Sequence, residues 1–96
     1  MLDSVKHALR ISLSNTHFDD EVEDLIAAAR HDLQLSGVLA SKVGDDSDPL
    51  IKRAITVYCK ANFGLDNKDA EKFQASYESL KAHLSLSHEY TVEDDA

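Results

Sequence analysis

The fold of this chain is decided by residues 48–64, DPLIKRAITVYCKANFG. Asp48 is suited to cap a helix, and Pro49 to occupy its first position, where the missing N–H of proline costs nothing. Gly64 suits the end of that helix. Between Pro49 and Gly64, apolar side chains cover most of the circumference of the predicted helix, which is typical of a central helix. Its polar strip consists of Lys52, Arg53, Thr56 and Lys60.

Three further helices are predicted around the central one, because apolar residues recur at steps of three and four. The four predicted helices span residues 3–13, residues 19 or 20 to 37, residues 48–64 and residues 67–85. Asp20 and Glu23 resemble a capping box at the start of the second helix, and Gly37 suits its end. Residues 38–47 are predicted to be a loop whose Val38, Leu39 and Val43 fold back on the core.

These patterns predict an all-α fold, a compact bundle of about four helices in one domain. The helical domain is expected to cover residues 1–85, and residues 86–96 are expected to form a short flexible acidic tail. Such a tail is disordered in an isolated subunit and becomes ordered on a partner. Its deletion is therefore expected to leave the helical content unchanged.

The composition excludes several classes of protein. Eighteen Asp and Glu residues against ten Lys and Arg give a formal net charge of −8, which argues against independent binding of DNA or RNA. Cys59 is the only cysteine, so an intramolecular disulfide and a cysteine-rich zinc site are excluded, and a reducing cytoplasm is indicated. No apolar run approaches the ~20 residues of a membrane helix, and no signal-peptide core is visible.

No group of residues has the pattern of a catalytic, cofactor or metal site. The five histidines do not pair at a spacing of four, and His17 beside two aspartates has too few ligands within reach. The run from Asp45 to Asp48 lacks the Gly at position six and the Glu at position twelve of an EF-hand. The sequence therefore predicts that the protein is not an enzyme, uses no cofactor and binds no metal.

Two groups of charged residues are candidate binding surfaces. Carboxylates crowd the start of the second helix at Asp19, Asp20, Glu21, Glu23 and Asp24. The helix dipole accounts for two or three of them, and the excess leaves room for an electrostatic role. Lys52, Arg53 and Lys60 share one face of the central helix. This face suits a subunit contact better than a DNA-recognition helix, because the total charge opposes DNA binding.

Several motifs follow one another in a defined order. The chain opens with the pattern L-x-x-V-K-x-x-L-R-I at residues 2–11, followed by DDEV at residues 19–22. The central helix adds DPLIK at residues 48–52 and Y-x-K-A-N-F-G at residues 58–64. In this order and spacing, over residues 2–90, the chain resembles the small head–tail connector proteins, or head-completion adaptors, of tailed bacteriophages and prophages.

The resemblance implies a ring of about twelve copies stacked beneath the portal protein at the capsid vertex. Such a ring extends the channel for DNA, which is only passing cargo, and offers a platform to the next head–tail joining protein. It also implies a virion protein made in the cytoplasm of a bacterial host, with no catalytic residues. In such a channel an acidic lining would repel the DNA backbone. The residues predicted to face the channel are Asp19, Asp20, Glu21, Glu23, Asp24, Asp45 and Asp46.

Two other classes of function remain open from the residues alone. One is a small DNA-binding regulator, with Lys52, Arg53 and Lys60 on a recognition helix. The other is a small acidic binding module, such as an antitoxin-like inhibitor, whose acidic face binds a basic partner. A salt-dependent complex with DNA would indicate the first class and a tight one-to-one complex the second, whereas a connector forms a ring.

Overall fold

The computed structural model describes residues 1–65 and 67–93. All regular structure within those residues is helical, which confirms the predicted fold class. The helices are α1 (Leu2–Ala8), α2 (Asp19–Leu35), α3 (Ala40–Val43), α4 (Pro49–Asn62), α5 (Ala70–Leu86) and α6 (His88–Thr91). The four predicted helices correspond to α1, α2, α4 and α5. The single turns α3 and α6 fall in the segments predicted as loop and tail.

The central helix is α4, as residues 48–64 predict. The Asp48 side chain accepts hydrogen bonds from the backbone N–H groups of Leu50 (2.9 Å) and Ile51 (3.2 Å), and Pro49 is the first helical residue. The helices α1, α2 and α5 all pack against α4. Its fully buried side chains are Ile51, Ala54, Ile55 and Cys59. Burying one large aliphatic side chain stabilises the fold by about 1.5–3 kcal/mol. Since several of its side chains are fully buried, α4 contributes much of the stability of the core.

The first helix is shorter than predicted, because α1 ends at Ala8 and not near Leu13. Arg10 has a left-handed backbone conformation (φ 62°), and the N–H of Ile11 donates to the carbonyl of Lys6 at 2.9 Å. This Schellman arrangement closes a helix end, and its left-handed position usually holds glycine. An arginine in that position gives no sequence signal for the end of the helix.

The chain turns back on the core after α2, as predicted. Gly37 has the left-handed conformation (φ 111°) that this helix end requires, and the N–H of Val38 donates to the carbonyl of Leu33 at 3.0 Å. Val38 and Val43 are buried, and Leu39 is half-buried. The predicted inward fold of this segment is therefore confirmed, although α3 forms within it.

The segment after α5 is folded as far as it is described, so the predicted flexible tail does not include residues 87–93. Tyr90 on α6 is only 6% exposed. Its hydroxyl donates to Asp48 (3.1 Å), and its carbonyl accepts from the N–H of Leu39 (2.9 Å). Burial of the Tyr90 ring and these two hydrogen bonds hold the segment against the core, although its composition is acidic. The rest of the predicted tail, residues 94–96, lies outside the described residues.

Candidate functional site

The described residues carry no cluster with the chemistry of a metal site. Within 1–65 and 67–93, no three His, Cys, Asp or Glu side chains lie close enough together to hold a metal ion. Nor does any described helix combine the length and apolar character that crossing a membrane requires.

Cys59 is fully buried, and burial raises the pKa of its thiol to about 12. The thiol is therefore protonated at neutral pH, and Cys59 acts as a core residue.

The carboxylates predicted to face a channel come from two different elements of the fold. Those between Asp19 and Asp24 lie in the first turns of α2. Asp45 and Asp46 lie in the loop between α3 and α4, where Asp46 contacts Arg30 of α2. Arg30 follows Asp24 by six residues, which is less than two helical turns. Glu23 and Asp46 line one shallow pocket together with Arg30, so the two groups adjoin at that edge of α2.

Asp19 serves the interior of the fold. Its Oδ1 lies 2.7 Å from the Nζ of Lys6, a residue that is only 2% exposed. The same Nζ donates to the backbone carbonyls of Asn15 (2.7 Å) and Leu13 (3.3 Å). One buried ammonium group thus holds the α1–α2 connection against the start of α2. The sequence reasoning missed this role of Lys6, and its only signal was the position beside the buried Val5 in the opening motif.

Asp45 and Asp46 are also engaged within the chain. Asp46 pairs with Arg30 and with the N-terminal amine of Met1, the latter at 3.4 Å. Asp45 accepts hydrogen bonds from the hydroxyl (2.6 Å) and the N–H (3.0 Å) of Ser47, and these bonds hold the pKa of Asp45 below its ordinary value. Both carboxylates therefore shape the loop that leads into α4.

Four of the predicted carboxylates remain exposed on α2: Asp20, Glu21, Glu23 and Asp24. Glu21 accepts a hydrogen bond from the N–H of Gly64 at 3.3 Å. The other three form no ion pair with any residue that the structure describes. Asp20 and Asp24 are one turn apart and lie opposite the buried residues of α2, so they point directly away from the core.

Of the basic strip predicted on α4, Lys52 and Arg53 face outward, whereas Lys60 lies in a groove with residues of α1 and α5. Lys52 and Arg53 are exposed, and Lys60 is half-buried with its Nζ 5.4 Å from the centre of the Phe73 ring. None of these three cations forms an ion pair with a carboxylate of the described residues. The strip is therefore a surface of one sign of charge that the described part of the chain leaves uncompensated.

An apolar groove lies beside this strip, where α4, α5 and α6 meet. It encloses about 360 Å³, and its apolar walls are Leu50, Leu80, Leu84 and Tyr90. Leu50 stands at the start of α4 and is 48% exposed. Lys52 and Arg53 follow Leu50 within three residues on α4, so charged and apolar surface lie close together at the start of that helix.

A polar network that the sequence did not indicate joins α2 to α5. The buried Tyr77 donates its hydroxyl to Asp32 Oδ2 at 2.6 Å, and the Nζ of Lys81 reaches the same oxygen at 3.1 Å. Burial acts to raise the pKa of Asp32, but the hydrogen bonds from Tyr77 and Lys81 and the charge of Lys81 outweigh it and hold that pKa below 3.8. Burial, and next the bond to Asp32, raise the pKa of Tyr77 far above its ordinary value.

We expect Tyr77→Phe to lower the free energy of unfolding by about 1 kcal/mol at neutral pH, because Asp32 loses a donor. Folding lowers the pKa of Asp32, so its contribution is present above the unfolded value of about 3.9 and is lost as the pH falls through the folded value. Folding raises the pKa of Tyr77, so that contribution is complete below about pH 10 and is lost at higher pH. Urea unfolding across this pH range measures both.

Tyr58→Phe is the matched control for this prediction. The Tyr58 ring lies edge-on against Tyr77, with 5.0 Å between ring centres. Its hydroxyl has no hydrogen bond to any described residue. We expect Tyr58→Phe to keep the acid-side loss of stability, whereas Tyr77→Phe should make that loss smaller. Identical pH profiles for the two variants would contradict the role of the network.

The described residues form a small helical protein with exposed charged surfaces and a shallow apolar groove. A family model described as phage connector protein matches residues 1–91. The chain therefore belongs to the phage connector protein family, and the resemblance of its motifs to that family is confirmed. A search of curated proteins and a search of solved structures each returned no match.

Membership in this family has consequences for the role of the chain. A phage connector is a component of the virion that interacts with other head or tail proteins. Such a role is structural and is consistent with a protein that is not an enzyme.

Proposed function

We propose that this protein is a structural subunit of the head–tail junction of a tailed phage, made in the bacterial cytoplasm. About twelve copies form a closed ring beneath the portal protein and extend its DNA channel. The far side of the ring is the platform for the next joining protein. The match to the phage connector family over residues 1–91 carries this proposal. In this role the protein catalyses no reaction and needs no cofactor.

The surfaces of the subunit support assembly into a ring. A ring made of one kind of subunit needs two different surfaces that complement each other. One surface here has the basic strip of α4 and the apolar groove beside Leu50. Another has the exposed carboxylates of α2, at Asp20, Glu23 and Asp24. These two surfaces differ in charge, so they can complement each other in a head-to-tail contact.

The channel-facing role of the acidic residues stays a prediction. Asp19, Asp45 and Asp46 have partners within the chain, which gives them a role in folding. The repulsion of DNA would therefore rest on the exposed carboxylates of α2. Their position in the ring decides between a role in the channel and a role between subunits.

A phage that lacks this protein is expected to accumulate DNA-filled heads and free tails that do not join, because the platform between them is missing. Purified protein added to an extract of that phage should restore joined, infectious particles. Negative-stain electron microscopy and plaque counts measure the effect. An extract that also lacks the portal protein is the control, since the added chain then has no ring to bind. Normal particles formed without the protein would contradict the proposal.

A further inference from the structure

We propose that the outward face of α4 binds the outward face of α2 on a second copy of this chain. This head-to-tail contact rests on the proposed ring and names the surfaces that build it. The α4 face consists of Lys52, Arg53 and Thr56, with Leu50 beside them at the start of the helix. The α2 face consists of Asp20, Asp24, Ala28, His31 and Leu35.

The two faces lie on opposite sides of the molecule. The helices α1, α2 and α5 cover the other sides of α4. Among these three helices α2 is the middle one, because it meets α1 through the Asp19–Lys6 pair and α5 through the bonds from Tyr77 and Lys81 to Asp32. The uncovered α4 face therefore points away from α2, and the α2 face points away from α4. One subunit can accordingly bind two neighbours at the same time.

The charges of the two faces are complementary. The helix α4 contains three cations and no acidic residue, and none of its cations pairs with a described carboxylate. The α2 face opens with Asp20 and Asp24, and no basic residue precedes Arg30 on that helix. Complementary charge across an interface steers the encounter of two partners and fixes their orientation.

Both faces also expose apolar surface that a contact would cover. Leu50 is 48% exposed at the edge of the groove that Leu80 and Leu84 line, and Leu35 on the α2 face is 74% exposed. Apolar area in the centre of an interface gives affinity, while the charges around it select the partner. The α4 and α2 faces each offer both kinds of surface.

The same charges disfavour a two-fold dimer. A two-fold contact uses the same patch on both copies. Because the two faces lie on opposite sides of the molecule, a two-fold contact through either face alone would bring like charges together. A head-to-tail contact uses each face once and leaves a free face at either end of the assembly. Such a contact closes into a ring when its rotation allows closure. This pattern of charge therefore fits a ring and disfavours a two-fold dimer through either face.

This contact changes the role expected for two of the acidic residues. Asp20 and Asp24 become interface residues between subunits and no longer line the channel. Their negative charge selects the neighbouring α4 face, so replacing it should break the assembly and not merely slow the passage of DNA.

Charge reversal of each face tests the contact. The α4-face variant is Lys52→Glu with Arg53→Glu, and the α2-face variant is Asp20→Lys with Asp24→Lys. Each variant alone is expected to assemble at least about tenfold more weakly than the wild type, because like charges then meet. An equal mixture of the two variants should assemble again, since each variant then finds an oppositely charged face on the other. Light scattering, with and without the portal protein, measures assembly, and circular dichroism checks folding.

Lys68→Glu with Lys72→Glu is the matched control, since it makes the same change of net charge at exposed residues outside the α4 face. It should assemble like the wild type. A variant carrying both reversed faces should also assemble, because its faces are complementary once more. A milder pair, Asp20→Asn with Asp24→Asn, keeps the test valid if the reversed α2 face impairs folding. It should weaken assembly in the same direction.

The other outcomes overturn the contact. Single-face variants that assemble like the wild type would show that these faces do not meet. If the α2-face variant assembles normally but DNA leaves the virion more slowly, Asp20 and Asp24 line the channel instead. A mixture that fails to recover would show that each face binds something other than its counterpart. A wild-type chain that stays monomeric alone and with the portal would overturn the proposed function and this contact together.

Discussion

Replacing Lys6 with Met is expected to lower the free energy of unfolding by about 3 kcal/mol, out of roughly 5–14 kcal/mol for a domain of this size. Lys6 is 2% exposed, and its Nζ contacts the Asp19 carboxylate and the carbonyls of Leu13 and Asn15. Met fills similar space without a charge. The Asp19 carboxylate and both carbonyls then lose a partner that water reaches poorly, so the native state becomes less stable.

Urea unfolding of three further variants isolates the contribution of the Lys6–Asp19 pair. Lys68→Met removes an exposed charge, and we expect it to change the free energy of unfolding by less than about 0.5 kcal/mol. Asp19→Asn removes the other member of the pair. The double variant with Lys6→Met should cost less than the two single variants together, because no unpaired charge remains. A Lys6→Met variant as stable as Lys68→Met would contradict the buried ion pair.

Ending the chain at Leu86 is expected to destabilise the subunit by about 3–5 kcal/mol, mainly because Tyr90 is lost. Tyr90 is 6% exposed and donates to the Asp48 carboxylate that also caps α4. Burial, and next the bond to Asp48, raise the pKa of Tyr90 to about 12. This expectation reverses the prediction from composition, in which removal of the segment leaves the helices unchanged.

A chain that ends at Glu93 is the matched control, because it keeps α6 and removes only residues 94–96. We expect it to unfold at the same urea concentration as the full chain. Tyr90→Phe should cost about 1 kcal/mol, since it removes one hydrogen bond and keeps the ring. Circular dichroism at increasing urea measures all three. Equal stability of the chains ending at 86 and at 93 would show that α6 contributes nothing.

The central helix could be predicted because its signals are local. Asp48 and Pro49 mark its start, Gly64 follows its end, and its apolar residues cover three sides. The buried face of α2 and its end at Gly37 follow from the same kind of pattern. Local backbone and capping preferences act within a few residues, so one sequence is enough to read them.

The features that were missed depend on contacts between distant residues. The early end of α1 needs Arg10 in a conformation that glycine normally adopts, and the loop after it is held by Lys6. The burial of Tyr90 needs Leu39 and Asp48, which lie far upstream in the chain. The composition of the segment predicted a tail, because composition does not show that its one aromatic residue, Tyr90, is buried.

The candidate surfaces were predicted in part. Helical periodicity places Lys52, Arg53 and Lys60 on one side of α4, and the structure leaves Lys52 and Arg53 exposed there while Lys60 is half-buried against Phe73. The acidic residues could not be sorted by sequence, since the ion pairs of Asp19 and Asp46 join different elements. Tertiary structure alone separates the carboxylates that shape the fold from those left for a partner.

The mass of the particle formed when this chain is mixed with its portal protein tests the central claim most directly. Native mass spectrometry of the mixture is expected to show the portal plus one saturating set of about twelve copies. Copies in excess of that set should remain free. A chain that keeps its monomer mass at every ratio, and leaves the portal mass unchanged, would contradict the proposal that this protein is a connector ring subunit.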